Sequence, residues 1–548
     1  MGIEKRIAII PARGGSKGIP RKNLRPVAGR PLIYYSIMAC LKSSLLDRVV
    51  VSTDDDEIAL FAERFGADVL MRSRELADDL TTLDPVIYSV VRQAEKQWKD
   101  YYGIVISVQP TSPLIIAADI DAVIGILDVG VDTVITVVDD RHLNWTIKDN
   151  RPFPCYKDRV NRQQLPANFK ETGALIACSR RQLESGSRIG KNVELLEMPH
   201  NRSFDVDTYS DLMLCENLIN RKRIVFAVAG YREIGLGHVY RSLMLAHELV
   251  KYDIHFICEE KNDLAIESIK KQHYTVHVCK DGELGKACVN VSPDLVINDI
   301  LDSSIEYISF IKDESIKVIN FEDLGSGAKK ADLVINALYA EREKVPNALV
   351  GSEYFCLRDE FLYIEKAPIS EKVNRILLTF GGVDEGNLAA RCLKLIAQYC
   401  KEKSIAVDIV TGPGFIGQNI LTEIVKDYQD LVVDVAKGTK RISDYMNKAD
   451  VAITSGGRTV LELAALHVPT IVICQNEREA THEFLALDNG VINLGNRELV
   501  ENADIISSFR DVVENKEKRM DMIAKSKQKN FSLGKKRVIK RIIDLLER

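Results

Sequence analysis

The stretch that decides the fold of the first part of the chain covers residues 7–23 and reads IAIIPARGGSKGIPRKN. Ile7 to Ile10 form an isoleucine-rich apolar run, which is typical of a buried parallel strand. Pro11 ends this strand, and the glycines that follow let the backbone approach a ligand closely. The same loop carries four cations: Arg13, Lys17, Arg21 and Lys22. Backbone amides and fixed positive charge together predict an anion cradle for a polyphosphate, against the alternative of a basic surface loop that uses glycines for turning.

The composition indicates a soluble globular chain of more than one domain. The chain has 548 residues, 46% of them hydrophobic and 28% charged, so we expect two to four domains. The net charge of −5 gives no reason to expect nucleic-acid binding. Charged residues near the start and the lack of a long apolar run predict neither a signal peptide nor a membrane span. The 11 cysteines form no CxxC pair, which favours reduced thiols in a cytoplasmic protein.

Apolar strands and amphipathic helices alternate after the basic loop. The strands predicted here are 48–54, 67–70, 103–109 and 132–138, and the helices are 31–43, 56–65 and 85–96. Such alternation predicts a doubly wound α/β sheet, in which ligands bind beyond the carboxyl ends of the strands. Asp54 and Gln109 stand at two of these ends, so we expect them to converge with the basic loop.

Two aspartates, Asp205 and Asp207, stand two positions apart in the segment NRSFDVDTYSD. If this segment is extended, both carboxylates face one side. Paired carboxylates beside a polyphosphate are suited to a hard divalent cation such as Mg²⁺. The alternative is that an aspartate caps the helix that starts near Ser210.

Several ordered motifs carry a resemblance to a known family. They are Pro11–Asn23, Val51–Asp54, Arg74–Asp78, Gln109–Pro113, Arg162–Pro166 and Asp205–Asp207. Over roughly residues 4–220 the chain resembles the cytidylyltransferases that activate nonulosonic acids, the CMP-sialic acid synthetase family. The resemblance implies CTP and a nine-carbon sugar acid as substrates, Mg²⁺ as cofactor, and a homodimer or a higher homo-oligomer.

The resemblance also implies roles for individual residues. The nucleotide would be held by Arg13, Gly14, Ser16, Lys17, Lys22 and Asn23. The sugar acid would be held by Gln109, Arg162, Gln163 and Lys170, and the metal by Asp205 and Asp207. Arg13, Lys17 and Asp207 would act in catalysis. Two departures leave the identity of the sugar open: Lys170 stands where the family often has arginine, and Thr172–Ala177 replaces an Asn-Gly-Ala-aromatic pattern.

A new alternating unit begins after the short basic connector at residues 220–223. It opens with a strand at 223–229, a second glycine-rich loop at 230–241 and a helix predicted at 242–251. Another unit opens at residue 376. We therefore predict three domains, 1–222, 223–370 and 371–548, the last two being Rossmann-type domains that face each other across a cleft. The apolar residues of the last predicted helix, 535–546, predict packing against a domain rather than a basic membrane-surface helix.

The chemical centre of the second part is predicted at Ser455, Gly456 and Gly457, where a strand turns into a helix. The amides at that helix start favour diphosphate binding, and Glu462 is placed to reach ribose hydroxyls. The alternative is a tight turn with an ordinary surface glutamate. His238 lies between Gly237 and the start of the predicted helix rather than on an apolar face, which favours a catalytic or ligand-binding role.

Residues 223–500 resemble the UDP-sugar hydrolase of pseudaminic acid biosynthesis, which has the GT-B fold. The motifs that carry this resemblance are Gly235–Arg241, Glu322–Leu324 and Ser455–Ala465. It implies a UDP-sugar in the cleft and His238 as the base or as a residue that orients the attacking water. Arg458, where that family usually has serine or threonine, and the altered segment Asn476–Glu479 leave hydrolase, glycosyltransferase and non-catalytic sensor open. The whole chain is thus expected to be a bifunctional enzyme of nonulosonic acid biosynthesis.

Overall fold

The computed structural model describes residues 5–16, 18–77, 81–232, 234–339, 345–365, 370–412, 414–428 and 430–548. Two residues of the predicted motifs, Lys17 and Asp78, lie outside the described residues. The chain divides into two compact units, Met1–Arg221 and Lys222–Arg548, and the division falls at the basic connector.

The first unit is built on a seven-stranded sheet with the order β11-β7-β10-β6-β1-β4-β5. Its neighbouring strands are parallel except for β10, which runs antiparallel to both β6 and β7. The strands of this unit, two short hairpins included, are β1 (Lys5–Pro11), β2 (Pro26–Val27), β3 (Arg30–Pro31), β4 (Arg48–Thr53), β5 (Asp68–Met71), β6 (Tyr102–Val108), β7 (Thr133–Asp139), β8 (Trp145–Lys148), β9 (Arg151–Pro154), β10 (Phe169–Ser179) and β11 (Val193–Glu197).

Helices cover both faces of this sheet, and each face has its own apolar core. The helices are α1 (Leu32–Leu41), α2 (Asp56–Arg64), α3 (Leu83–Trp98), α4 (Ala117–Leu127), α5 (Arg180–Glu184) and α6 (Tyr209–Ile219). Within β1, Ala8 and Ile10 belong to one core, while Ile7 and Ile9 belong to the other. Burial on both faces explains why this strand is apolar throughout instead of alternating with polar residues.

The second unit consists of two lobes, each with a parallel sheet. The sheet of the first lobe has the order β14-β13-β12-β15-β16-β17-β18. Its strands are β12 (Arg223–Val228), β13 (Asp253–Glu259), β14 (Thr275–Cys279), β15 (Leu295–Asp299), β16 (Lys317–Phe321), β17 (Leu333–Asn336) and β18 (Ala348–Val350). Its helices are α7 (Gly237–Glu248), α8 (Asp263–Lys270), α9 (Leu284–Asn290), α10 (Ile305–Lys312) and α11 (Asp359–Tyr363).

The sheet of the second lobe has the order β21-β20-β19-β22-β23-β24. Its strands are β19 (Arg375–Thr379), β20 (Ala406–Thr411), β21 (Val433–Lys437), β22 (Val451–Thr454), β23 (Thr470–Cys474) and β24 (Val491–Asn496). The helices that follow β19 are α12 (Leu388–Glu402), α13 (Gln418–Asp427), α14 (Ile442–Lys448), α15 (Thr459–Ala465), α16 (Glu477–Ala480), α17 (Asn502–Glu514), α18 (Lys516–Lys527) and α19 (Gly534–Glu547). The predicted fold class, a nucleotidyltransferase-like sheet followed by a GT-B-like pair of Rossmann-type domains, is confirmed.

Helix α19 returns from the second lobe to the first. Its buried face contributes Val538, Ile542 and Leu546 to the core that contains Ile224 and Phe226 of β12. Lysine side chains of the first lobe also donate to its last carbonyl groups. The packing role predicted for this helix is confirmed, and its partner is the domain on the far side of the predicted boundary at 370. Among the described residues, no helix is both long and apolar enough to cross a membrane.

We expect Ile542→Ala to lower the free energy of unfolding of the second unit by about 2–5 kcal/mol, because it removes a fully buried side chain from the shared core. The exposed Arg541→Ala in the same helix is the control and should change the free energy by less than about 0.5 kcal/mol. Urea unfolding of both variants measures the difference. Equal effects would show that the helix contributes little to this core.

Candidate active sites

The glycine-rich loop of the first unit is hydrogen-bonded to the residue that follows strand β4. The Gly14 amide donates to Asp54 Oδ1 at 3.0 Å, just beyond β4. The Asn23 side-chain amide donates to the Arg13 carbonyl at 3.0 Å and so closes the loop on itself. The convergence of the loop with Asp54, predicted from the strand ends, is confirmed.

The loop is also held against the segment that contains the two predicted metal ligands. Lys22 Nζ donates to the Val206 carbonyl at 2.7 Å and to Asp207 Oδ1 at 3.2 Å. At Gly18, an added Cβ would lie 2.8 Å from the Asp207 carbonyl oxygen, closer than such contacts occur in proteins. Glycine is therefore needed at position 18 for the close approach of the two segments.

The four loop cations do not act alike. Arg21 pairs with Glu57 of α2, so it contributes less to the cradle than the sequence predicts. Arg13 and Ser16 are half-buried in the loop, and Lys22 is turned toward Asp207. The charge of the cradle, as far as the described residues define it, comes from Arg13 and Lys22.

We expect Gly18→Ala to destabilise the first unit by about 1–3 kcal/mol, because the new methyl group must push the loop away from the Asp207 carbonyl. Gly15→Ala is a matched control in the same loop, since its Cβ would meet nothing within 4 Å. Thermal unfolding of both variants checks the prediction. Equal melting temperatures would mean that the close approach at position 18 is not required.

The acidic segment lies across the Gln109–Pro113 turn and β10. The Val206 amide donates to the Thr111 carbonyl at 2.8 Å, and the Thr111 hydroxyl donates to the Asp205 carboxylate. Val206 is fully buried, while Asp205 and Asp207 are exposed on the opposite side. Both carboxylates thus face away from the core, as predicted for an extended segment.

The alternative role of these aspartates as helix caps is wrong. The cap of α6 is Thr208, whose hydroxyl accepts from the Asp211 amide while the Asp211 carboxylate accepts from the Thr208 amide. The helix starts at Tyr209, one residue before the predicted start. Asp205 and Asp207 are therefore not used as helix caps.

The electrostatics of the acidic segment favour a cation. Desolvation by the surrounding atoms raises the pKa of the Asp205 carboxylate, although the residue as a whole is exposed. The hydrogen bond from Thr111 opposes this rise, whereas the negative charges of Asp207 and Asp211 add to it. A bound cation would remove the repulsion between the carboxylates.

The donor set fits Mg²⁺ of the kind that is shared with substrate phosphates. No group of three or more metal-ligating side chains is found in the part of the chain that the structure describes. Mg²⁺ is commonly held by one or two carboxylates, with phosphate oxygens and water completing the shell. Asp205 and Asp207 supply two hard oxygen donors beside the basic loop.

Three buried polar atoms near this site lack a hydrogen-bond partner among the described residues. They are Asn23 Oδ1, Ser112 Oγ and Arg72 Nε. Buried groups of this kind are normally paired, so each marks a position where a ligand can supply the partner.

Sequence reasoning missed Arg72, which immediately follows β5. Its guanidinium donates to the Ser52 carbonyl at 2.9 Å. Burial lowers the pKa of Arg72, the charge of Asp54 opposes this, and the charge of Arg13 adds to it, which places the three groups together. A cation directly after an apolar strand was the signal that could have identified it.

The residues predicted to hold the sugar acid differ in how far they are buried. The backbone amide of Gln109 donates to the Ala174 carbonyl at 2.9 Å, and Gln109 is half-buried. Arg162 and Gln163 lie in an exposed single helical turn, Arg162–Gln164, and Lys170 is exposed on β10. Arg162 and Lys170 supply the exposed positive charge of this set, which we call the cationic rim.

One anionic group lies within this rim. Arg141 forms a bidentate ion pair with Asp139, at 2.6 and 2.9 Å. The hydrogen bonds from Arg141, opposed by desolvation, lower the pKa of Asp139 to about 2, and the charge of Arg162 contributes. Arg162 therefore lies within electrostatic reach of Asp139, on the rim that the sequence predicts for a carboxylate-bearing substrate.

The second unit contains a cleft of 440 Å³ that is lined by residues of both lobes. Its size falls within the range of small-molecule sites. The polar and turn residues that line this cleft include His238, Arg241, Glu322, Arg358, Ser455, Gly457, Arg458, Glu462 and Arg478. The predicted cleft and the position of His238 on its wall agree with the sequence pattern.

His238 is oriented by a buried carboxylate that sequence reasoning missed. Its Nδ1 lies 2.5 Å from Asp299 Oδ1 at the end of β15. Arg241 donates to both oxygens of Asp299, at 2.6 and 2.8 Å, and Ser242 donates to one of them. A histidine that donates through Nδ1 leaves Nε2 as the nitrogen that can accept a proton.

The charged side chains around His238 and Asp299 change one another's pKa. Burial alone would raise the pKa of Asp299, but the charge and hydrogen bonds of Arg241 and His238 hold it well below the usual range. Arg241 also donates to Glu322 Oε1 at 2.8 Å. Burial raises the pKa of Glu322, and the charges of Arg241 and Arg458 oppose the rise. Asp299 is thus held ionised, which favours a stable orientation of His238.

Helix α7 starts earlier than predicted. The expected start was Ser242, but the helix begins at Gly237 and includes His238 and Arg241 in its first turns. The contacts of these two side chains with Asp299 explain the early start, since they stabilise a turn whose glycine has low helix propensity.

The turn at Ser455–Gly457 differs in part from its predicted chemistry. The Gly456 amide donates to Glu479 Oε2 at 3.0 Å, so a carboxylate of the protein already occupies the place expected for a ligand anion. Glu462 is buried and accepts from Arg358 Nε at 2.9 Å. The predicted use of the Gly456 amide is therefore wrong, while Ser455 and Gly457 do line the cleft.

A nucleotidyltransferase-like sheet with a glycine-rich basic loop, followed by a two-lobed unit, defines the class of the chain. Residues 7–159 match the cytidylyltransferase family model, and residues 376–538 match the glycosyltransferase family 28 C-terminal domain. The second match describes a glycosyltransferase-type domain, so the resemblance to a UDP-sugar hydrolase stays a prediction.

Similar proteins support the first assignment. The CMP-N,N'-diacetyllegionaminic acid synthase of Campylobacter jejuni is 31% identical over 226 residues, which cover 40% of this chain and 96% of that protein. The chain belongs to the cytidylyltransferase family through its first unit. An uncharacterized protein of Methanocaldococcus jannaschii is 30% identical over 284 residues, 48% of this chain, and the chain spans 58% of its length.

A solved structure is similar to part of the chain. The crystal structure of MurG from Acinetobacter baumannii matches with 14% identity and a TM-score of 0.45, covering 60% of this chain and 99% of that one. This is a likeness of fold alone.

Proposed function

We propose that the first unit transfers CMP from CTP to the anomeric hydroxyl of a nonulosonic sugar acid and releases pyrophosphate. The observation that carries this proposal is the contact between the basic loop and the Asp205–Asp207 segment through Lys22 and Gly18. Such a contact would bring the proposed triphosphate site next to the proposed metal site. The C. jejuni synthase, named for the same kind of product, is similar over 226 residues, which cover 40% of this chain.

Some residues of this site would bind the triphosphate, and others would hold the cation that neutralises its charge. The loop amides, Arg13, Lys22 and Asn23 would hold the triphosphate, and Asp205 and Asp207 would hold Mg²⁺. When bound, Mg²⁺ neutralises charge that develops on the leaving pyrophosphate. Phosphoryl-type transfer depends mainly on such positioning and neutralisation rather than on covalent chemistry.

The remaining tasks are to hold the sugar acid and to remove one proton. Arg162, with Gln109, Gln163 and Lys170, would hold the carboxylate and hydroxyl groups of the sugar acid. The anomeric oxygen forms a bond to the α-phosphorus, and the bond from that phosphorus to the leaving pyrophosphate breaks. The carboxylate of Asp207 would accept the proton of the attacking hydroxyl.

The test is pyrophosphate release from CTP by the full chain. Sialic, legionaminic, pseudaminic and eight-carbon sugar acids are supplied one at a time, with Mg²⁺ or with excess chelator. Release that requires both Mg²⁺ and one of the acids supports the proposal. Full release in the presence of chelator contradicts it.

For the second unit we propose a nucleotide-sugar enzyme in which His238 acts as base. The supporting observation is the buried Asp299, which orients His238 on the wall of a ligand-sized cleft. His238 Nε2 would accept a proton from water, whose oxygen bonds to the anomeric carbon while the carbon–oxygen bond to the diphosphate breaks. A glycosyltransferase would use an acceptor hydroxyl in place of water.

Incubation of the full chain with UDP-sugars separates these possibilities. UDP and free sugar without an acceptor support hydrolysis, whereas a strict requirement for an acceptor supports transfer. Binding without turnover in either case would identify the cleft as a non-catalytic sensor and contradict the role of His238 as base.

A further inference from the structure

One of the four half-buried or buried arginines of the cleft has no carboxylate partner among the residues that the structure describes. Three of them donate to carboxylates: Arg241 to Asp299 and Glu322, Arg358 to Glu462, and Arg478 to Asp302. Arg458 instead donates through Nη2 to the Cys356 carbonyl at 3.1 Å. Its Nη1 is buried and has no hydrogen-bond partner among the residues that the structure describes.

The side chain of Arg458 reaches from the second lobe to the catalytic side of the cleft. Its guanidinium lies over the Phe355 ring, 4.8 Å from the centroid. Its Cδ would be 3.3 Å from a Cβ added at Gly237, the residue before His238. Arg458 therefore brings a cation next to the place where the proposed chemistry occurs.

The local charges do not satisfy this cation. Burial lowers the pKa of Arg458, and the positive charge of Arg241 lowers it further. Glu462 and Glu322 attract the guanidinium at longer range, but their carboxylates accept from Arg358 and Arg241. A buried donor without a partner is costly, and a ligand oxygen with negative charge would remove that cost.

We propose that Arg458 recognises an oxyanion of the ligand in the cleft, next to the bond on which His238 acts. This proposal rests on the proposed function of the cleft. The planar guanidinium suits a group with two oxygens, as in a phosphate or a carboxylate. Two sources share this chemistry: the diphosphate of a nucleotide sugar and a carboxylate carried by its sugar.

Calorimetric binding of UDP, UDP-N-acetylglucosamine and UDP-glucuronate to the full chain tests the proposal. The variants are Arg458→Ser, which restores the residue type usual in the resembled family, and Arg458→Lys, which keeps the charge. If Arg458 binds the diphosphate, Arg458→Ser weakens all three ligands about tenfold or more. If it binds a sugar carboxylate, only UDP-glucuronate weakens by that factor. Unchanged affinities for all three would overturn the proposal.

The control is Arg510→Ser, an exposed arginine of α17, which should leave all affinities unchanged. Both variants and the parent carry the same first unit, so differences between them report on the second. If the parent binds none of the three ligands, the nucleotide-sugar function fails, and inorganic pyrophosphate and glucuronate then serve as probes. Greater thermal stabilisation by either probe in the parent than in Arg458→Ser supports the oxyanion site, and equal stabilisation overturns it.

Discussion

Asp299→Asn should lower the turnover of nucleotide sugars by the second unit about a thousandfold or more, because the amide no longer fixes the tautomer of His238. The same change should destabilise this unit by about 3–5 kcal/mol, since it leaves the buried Arg241 with one carboxylate instead of two. Turnover measured at a temperature where the variant is folded separates the two effects. Near-parent turnover would contradict the role of Asp299 in orienting the base.

Asp408→Asn is the matched control, because Asp408 is also buried and pairs with Arg375 at 2.5 Å, away from His238. This variant should lose stability but keep its turnover. The pH dependence gives a second check on Asp299. Its pKa lies below the unfolded value, so its stabilising effect is present at neutral pH and is lost as the pH falls below about 4. The stability difference between the parent and Asp299→Asn should therefore shrink in that range.

Asp207→Asn should lower CMP transfer by the first unit about 100- to 10,000-fold, because it removes a metal ligand and the proposed proton acceptor together. The Mg²⁺ concentration that gives half-maximal activity should rise as well. Pyrophosphate release measured over a range of Mg²⁺ concentrations checks both effects. Activity like that of the parent at all Mg²⁺ concentrations would contradict the metal role of this segment.

Asp211→Asn is the control for this experiment. Asp211 stands four residues later and serves the cap of α6 through its bond with Thr208. Its replacement should lower stability by about 1 kcal/mol and leave the Mg²⁺ dependence unchanged. A rise in the required Mg²⁺ in Asp211→Asn as well would mean that any loss of negative charge in this region weakens metal binding.

Local sequence patterns were sufficient for much of the first unit. The isoleucine-rich strand, Pro11 and the glycine-rich loop predict a loop beyond the carboxyl end of a central strand, because strand burial and turn formation depend on adjacent residues. The common orientation of Asp205 and Asp207 was predicted only on the condition that their segment is extended, and the burial of Val206 between two exposed aspartates agrees with that condition. The pairing of Arg21 with Glu57 could not be predicted, since it depends on where α2 lies relative to the loop.

The second unit was harder to predict because its site depends on distant contacts. Asp299 is 61 positions from His238, and its sequence surroundings resemble those of other strand ends. The ionised Asp299 also changes the local structure, since it draws Arg241 and His238 into the helix that begins at Gly237. Likewise, the position of Gly456 in a Ser-Gly-Gly turn does not reveal that its amide donates a hydrogen bond to the Glu479 carboxylate.

Helix α19 has a consequence for the synthesis of the protein. The ribosome makes the chain from its N-terminus, so the strands of the first lobe emerge well before Val538, Ile542 and Leu546, which complete their core. Until then, Ile224 and Phe226 lack part of their apolar cover. The first lobe of the second unit therefore reaches its final packing only after the second lobe has been synthesised, which makes the two lobes a single folding unit during translation.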